Sequence, residues 1–192
     1  TIRATSNGKT VDDIFTVTVN PVNDAPISVA TTGSGDEGGT ITSTLSATDI
    51  DDSDATGLTF IIVSAPTYIS GSISIGTVSY SSGTFTATAT YTHDSSENFS
   101  DSFTYKVNDG EDDSNTSTST ITITPVDDAP RVANGITVEP VNEDDSNTTI
   151  NLTNVFMDDD NDNTAITKAM ESNSNTALLT ASISGDILTL DY

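Results

Sequence analysis

The chain has no cysteine and no tryptophan, only five Lys and Arg residues, and no apolar run approaching the roughly 18 residues of a membrane span. Without cysteine there is neither a disulfide framework nor a thiolate metal site. The five basic residues face 29 Asp and Glu, a net charge of −24, which excludes nucleic acid and other polyphosphates as direct partners. The lack of a long apolar run argues against membrane insertion. Thr1 opens no signal peptide, so the start reads as a cut in a longer chain whose targeting signals lie outside it. Charge of one sign at this density repels itself and opposes compaction unless counter-ions offset it, so a bound cation is expected.

What is present is period-two alternation. Runs such as Ile14-Phe-Thr-Val-Thr-Val19 and Thr120-Ile-Thr-Ile-Thr124 alternate apolar and hydroxyl residues, the pattern of half-buried strands, and helix signals are nearly absent. Clusters of Gly, Asn, Asp and Ser break the runs at short intervals. The fold expected is all-β, built of Greek-key sandwich domains of the immunoglobulin type. A heptapeptide, NPVNDAP at residues 20–26, returns as TPVDDAP at 124–130, placing Pro26 and Pro130 104 positions apart. Proline lacks an amide donor and suits strand ends and linkers, so each heptapeptide reads as a domain junction.

The expected division is therefore 1–24 as the last strands of a preceding repeat, 25–128 as a complete repeat, and 129–192 as the first strands of a following one. In the complete repeat strands are expected near 27–32, 40–48, 58–64, 73–80, 84–91, 102–108 and 116–124, with a hairpin turn at Ser81-Ser82-Gly83. The first piece holds two strands, TIRAT and DIFTVTV, matching the last two of the middle unit. The third piece stops at the hairpin ALLTASISGDILTLDY. Neither piece closes a sandwich alone, since each leaves a sheet edge and an apolar face uncovered. Either the array continues in both directions, or residues 1–24 of another copy complete residues 129–192, or the two end pieces are frayed remnants of a proteolytic cut.

The carboxylates are clustered. Beside the heptapeptides stand Asp36-Glu37-Gly-Gly, Asp49-Ile-Asp51-Asp52-Ser-Asp54, Asp109-Gly-Glu111-Asp112-Asp113, Asn142-Glu143-Asp144-Asp145 and Asp158-Asp159-Asp160-Asn161-Asp162. All fall at strand ends, where the loops of one pole of a sandwich converge. Two carboxylates about 5 Å apart repel by roughly 3 kcal/mol at an effective dielectric of 20. Calcium, which takes six to eight oxygens from carboxylates, amides and carbonyls, turns that repulsion into a cross-link. None of these loops is an EF-hand: after Asp158-x-Asp160-x-Asp162 the sixth position is Asn163, not Gly, and the twelfth is Ala169, not Glu.

These residues resemble the tandem cadherin-like repeats of large, calcium-dependent bacterial surface adhesins. Asn23-Asp24-Ala25-Pro26 looks like the linker of such domains, Glu37 like their early acidic ligand, and Asp49-Ile50-Asp51 like their Asp-x-Asp motif. Asp101-Ser-Phe-Thr-Tyr-Lys-Val-Asn-Asp109-Gly110, followed by the Thr-rich strand and Pro-Val-Asp-Asp-Ala-Pro130, is similar to their closing segment. The resemblance implies a row of sandwiches stiffened by calcium between neighbours. It places Asn23, Asp24, Asp49 and Asp51 at the first junction, and Glu37, Asp127, Asp128, Asp158 and Asp160 at the second. Glu97, Asp101 and Glu143 are further candidate metal ligands. The Asp-Arg-Glu motif of animal cadherins is missing, and His93-Asp94-Ser-Ser-Glu97 occupies its region.

The function this implies is a structural extender of an extracellular, cell-surface adhesin or filament, with no enzymatic activity. Its partners would be neighbouring repeats or copies of itself head to tail, with any surface glycan gripped elsewhere in the full protein. The alternative is a calcium-dependent carbohydrate- or ligand-binding module of a secreted protein, for which Tyr68 is the first aromatic to suspect. The single His93 is expected as an exposed loop residue without a neighbouring nucleophile. Lys106 is expected to point to solvent.

Overall fold

In the computed structural model, which describes residues 1–174 and 176–192, β-strands dominate and no α-helix is found among the described residues. None of the described helical turns is long and apolar enough to cross a membrane. β1 (Ile2–Ser6) and β2 (Lys9–Asp13) form a separate hairpin around Asn7-Gly8, both at positive φ as a tight primed turn requires. The middle unit comprises β3 (Ile27–Val29), β4 (Thr31–Asp36), β5 (Thr40–Thr48), β6 (Thr59–Ser64), β7 (Ile69–Ile75), β8 (Ser79–Ser81), β9 (Thr84–His93), β10 (Ser100–Asn108) and β11 (Ser117–Thr124). The third unit holds β12 (Arg131–Val132), β13 (Thr148–Asn151), β14 (Phe156–Met157), β15 (Thr180–Ser184) and β16 (Ile187–Asp191), with a single 3-10 turn at Asn163–Ala165.

Two layers make the middle sandwich. One is β6-β10-β11-β4, and the other is β3, β5, β9, β7 and β8; they are joined where β4, still paired with β11, also pairs with β5 at Gly33 and Ser34. The alternation seen in the sequence is the reason: β5 buries Ile41, Ser43, Leu45 and Ala47 and exposes the threonines between them. β9 buries Phe85, Ala87, Ala89 and Tyr91 opposite Phe103, Tyr105 and Val107 of β10 and Ile121 and Ile123 of β11. The core is sealed by one aromatic hydroxyl. Tyr105 Oη accepts from the Ser46 amide at 3.2 Å and lies within hydrogen-bonding reach of the Ser46 and Val29 carbonyls. Tyr105→Phe should cost about 1–3 kcal/mol, because buried backbone groups lose their partner without any change of volume; chemical denaturation checks it.

Several expectations need correction. The segment expected as one strand at 27–32 is two: β3 pairs antiparallel with β5, then the chain crosses and β4 pairs in parallel with β11. The 73–80 strand is likewise β7 and β8, both on β9, so the middle unit has nine described strands instead of seven. The Ser82-Gly83 turn is as expected, both residues at positive φ. In the first piece the second strand is Lys9–Asp13, and residues 14–19 lie in no described strand. A strand is stable only against a neighbour, and theirs is not in this piece.

The third unit repeats half of the middle one. Arg131 and Val132 pair with Met157 and Phe156, as Ile27 and Ser28 pair with Thr48 and Ala47. β13-β16-β15 repeats β5-β9-β8. The closing hairpin appears as expected, turning at Gly185.

Candidate metal centre

Strand direction decides which acidic loops meet. β5 and β10 run to one pole, delivering the loops after Thr48 and Asn108 beside the linker that enters at Asp24. β4, β9 and β11 run to the opposite pole, delivering Glu37, Glu97 and the linker 125–128. Each pole carries one junction, and the two are built alike.

At the first junction Asp49 Oδ1 accepts the amides of Asp51 and Asp52 at 2.8 and 3.1 Å, and Asp51 Oδ2 accepts the amide of Asp24 at 2.7 Å. At the second, Asp158 Oδ1 accepts the amides of Asp160 and Asn161 at 3.1 and 2.9 Å, and Asp160 accepts the amide of Asp128. One Asp-x-Asp turn thus fixes its own loop with its first carboxylate and captures the linker with its second. Asn161 Nδ2 adds a bond to Asp127 at 3.4 Å. Asn23 Nδ2 donates to Asp109 at 3.0 Å and Asp112 at 3.4 Å.

Glu37 is the best-defined member of the second junction. Its amide bonds the Thr124 carbonyl at 2.9 Å and its Oε2 accepts the Val126 amide at 3.3 Å, which ties it to the end of β11 and the linker. The turn beneath it needs Gly38, at φ 61°, and a Cβ there would stand 2.7 Å from Ser95 Oγ. Its amide donates to His93 Nδ1 at 3.3 Å. Glu37 is only 8% exposed, and its Oε1 is buried with no hydrogen-bond partner among the described residues. Such an orphaned carboxylate oxygen is costly unless a cation or donor meets it. Oxygens of Glu37, Glu97 and Asp160 all lie within 4.8 Å of one another. The first junction has its own orphan, the buried Oδ2 of half-buried Asp49.

Desolvation, followed by the charges of Glu37 and Asp160, a hydrogen bond to the Glu37 carboxylate that protonated Glu97 can make, and the charge of Asp128, raises the Glu97 pKa above its ordinary value. Desolvation and then Asp49, Asp109, Asp54 and Asp51 do the same to Asp52. In contrast, the Asn23 amide and the amides of Asp112 and Glu111 hold Asp109 below the usual carboxylate range, so it stays ionised at the first junction. A raised folded-state pKa favours the protonated folded form. The Glu97 contribution is therefore fully present below its unfolded pKa and is lost as pH rises through its folded one. In metal-free buffer Glu97→Gln is expected to raise the melting temperature at pH 7 and leave it nearly unchanged well below the Glu97 pKa; melting curves across that range check this.

Placed against expectation, Asn23, Asp24, Asp49 and Asp51 are together at the first junction, and Glu37, Glu97, Asp127, Asp128, Asp158 and Asp160 at the second. Asp101 is not brought there: it accepts the amides of Thr67, Tyr68 and Ser102 and serves as a loop clamp. Glu143 lies exposed in the third unit and joins no described cluster. His93 is not an exposed loop residue. It ends β9 on the inward register of Phe85 to Tyr91, with its side chain fully buried and its ring 6.4 Å from that of Tyr68. Lys106 is not free in solvent but pairs with Asp113 at 2.5 Å. Sequence reasoning gave no junction role to Asp109, Asp112 or Asn161. Counting strand directions would have brought the 109–113 loop to the Asn23 linker.

A sequence model of the bacterial Ig domain matches residues 23–124, spanning the linker at Asn23 and the whole β3–β11 unit. No curated protein matches the chain. Two solved structures of an endo-fucoidan hydrolase from glycoside hydrolase family 107, one of them a substituted form, match with TM-scores of 0.40 at 17% and 16% identity. The match covers 98% of this chain and 28% of each hydrolase chain, so this chain spans less than a third of their length. With the family match covering more than half of its residues and the nine-stranded sandwich lying within that match, the chain belongs to the bacterial Ig domain family, whose members are typical of extracellular surface proteins.

Proposed function

We propose that the chain is an extender segment of an extracellular bacterial adhesin or surface filament, stiffened at its inter-domain junctions by calcium. The observation that carries this reading is the orphaned, buried Oε1 of Glu37 beside Glu97 and Asp160, which belong to different units. All the available donors are hard oxygens, and none is sulfur or an accessible imidazole, the set that suits calcium. A cation bound there supplies charge neutralisation and a cross-link between units.

The residues themselves do the positioning. Asp158 pre-forms the turn that presents Asp160, Asp160 captures the linker amide of Asp128, and Glu37 holds the linker amide of Val126 from the other side. With the carboxylates neutralised, both grips act on one short linker, and the angle between neighbouring sandwiches is restricted. Repetition of the same grip at Asp24 and Asp51 supports a row of such junctions. The reading is non-catalytic. The single histidine is buried with Nδ1 engaged by the Gly38 amide, which removes the obvious general base.

Thermal unfolding of the full chain in EDTA and in calcium, compared with Asp160→Asn, tests the reading. The gain with calcium should shrink in the variant. An equal gain in both would remove the second junction as the site.

A further inference from the structure

The turn that carries Glu37 is held from inside the middle sandwich by the single histidine of the chain. Asp36-Glu37-Gly38-Gly39 closes on itself through the Gly39 amide on the Asp36 carbonyl at 3.0 Å, and the Glu37 amide ties it to the Thr124 carbonyl at 2.9 Å. The remaining amide of the turn, that of Gly38, donates to Nδ1 of His93 at 3.3 Å. The main chain adds a second tie, from the His93 amide to the Gly39 carbonyl at 2.9 Å. His93 is the last residue of β9, and its side chain is fully buried.

That hydrogen bond fixes the state of the ring. Nδ1 accepts only when it carries no proton, so the neutral ring holds its hydrogen on Nε2. Nε2 is buried with no hydrogen-bond partner among the described residues, and Asp94 Oδ1 stands 3.8 Å from it, beyond hydrogen-bond distance. An apolar side chain would fill the same place without leaving an orphaned donor, so packing does not account for a histidine here. The acceptor that it offers to Gly38 does.

Gly38 also lies where the two ligand-bearing loops of the middle unit meet. A Cβ on it would stand 2.7 Å from Ser95 Oγ, in the loop that runs from His93 to Glu97. The turn of Glu37 and the loop of Glu97 therefore stack through this glycine, and His93 begins one loop while gripping the other. We infer that His93 is a positioning residue of the second junction: by accepting the Gly38 amide it holds the peptide between Glu37 and Gly38 in one orientation, and so keeps the Glu37 carboxylate on the Val126 amide and facing Glu97 and Asp160. It touches no cation itself. The consequence for binding rests on the calcium reading, but the placement of Glu37 belongs to the metal-free chain and is measured without any cation.

The test compares the full chain with His93→Leu, which removes the acceptor, and with His93→Asn, whose Oδ1 stands where Nδ1 does. In EDTA, amide hydrogen exchange read by NMR should quicken by about tenfold at Gly38 and Val126 in His93→Leu, while the ladder amides of β5 and β9 keep their rates. His93→Asn should restore protection at both. The nitrogen spectrum of the wild-type imidazole should show the proton on Nε2 and none on Nδ1, a reading that needs no variant and decides even where His93→Leu fails to fold. In calcium, His93→Leu should bind about 10- to 100-fold more weakly than wild type, with most of the loss recovered in His93→Asn. Val126 exchange indifferent to His93→Leu, equal effects of the two substitutions, or a proton on Nδ1 would overturn the proposal. Val126 exchange that follows His93 in a chain that binds no calcium would uphold the placement of Glu37 and remove the calcium reading alone.

Discussion

Calcium is expected to raise the melting temperature of the full chain by several degrees, with most of the gain lost in Asp160→Asn. Extracellular modules bind calcium at about 10⁻⁴ to 10⁻³ M, so about 10 mM calcium stabilises a folded-state site by about 1.4–2.7 kcal/mol. For a domain of this size that corresponds to a rise of roughly 5 to 15 °C. Asp160→Asn keeps the shape of the loop and the acceptor for the Asp128 amide but removes one of the charges facing Glu37 and Glu97. In EDTA the same substitution should be neutral or mildly stabilising, since it removes the Asp160 charge, which acts after desolvation and Glu37 to raise the Glu97 pKa. A variant that is better without calcium and worse with it cannot be explained by misfolding. The first junction should respond more weakly. Its Asp49 and Asp51 are in place with Asp109 and Asp112, but no Glu37-Glu97 pair from a preceding unit faces them among the described residues.

The largest effect on the fold itself is expected at Gly33. There β4 approaches β5 so closely that a Cβ would stand 2.4 Å from the Thr42 carbonyl oxygen, 2.7 Å from Ser43 Cβ and 2.8 Å from Ile121 Cδ1. Two of these contacts are backbone or backbone-proximal and cannot swing aside. Gly33→Ala should therefore force β4, which pairs with both layers, off its partner, at or above the upper end of the roughly 1–3 kcal/mol typical of overpacking. Gly35, whose Cβ would meet the Thr40 carbonyl at 2.5 Å and Ile41 Cδ1 at 2.7 Å, should behave the same way. Gly76→Ala is the control. Its Cβ would rest at 3.5 Å from the Thr88 carbonyl, an ordinary contact, so its effect should stay within about 0.5 kcal/mol. Denaturant titration of the three variants decides the matter.

The same two glycines show where sequence reading stops. Alternation of Thr with Ile, Leu, Val and Ala made β5, β9, β10 and β11 legible to within a few residues, because a half-buried strand must alternate. TTGSGD does not alternate apolar residues, and the strand expected at 27–32 stops after its first two threonines. It is a strand because its glycines admit the close approach of β5, a property of the partner and not of the segment. Residues 15–19 fail in the opposite sense, with strict alternation and no described ladder, since pairing is a tertiary event. At the junctions, the carboxylates of the Asp-x-Asp turns and the linkers were legible from residue type and spacing. The burial of His93 followed from two more residues of β9 than expected, and the meeting of Asn23 with Asp109 and Asp112 from strand direction, which no local pattern carries.

The claim that Glu37, Glu97 and Asp160 form a calcium site between units is tested most directly by calorimetric titration of calcium into the full chain and into Glu37→Gln. The account predicts saturable binding to the wild-type chain in the range of about 10⁻⁴ to 10⁻³ M, weakened at least tenfold at one site by the substitution. No saturable binding, or binding of equal strength in Glu37→Gln, would contradict it and leave the buried Oε1 of Glu37 with no cation to meet it.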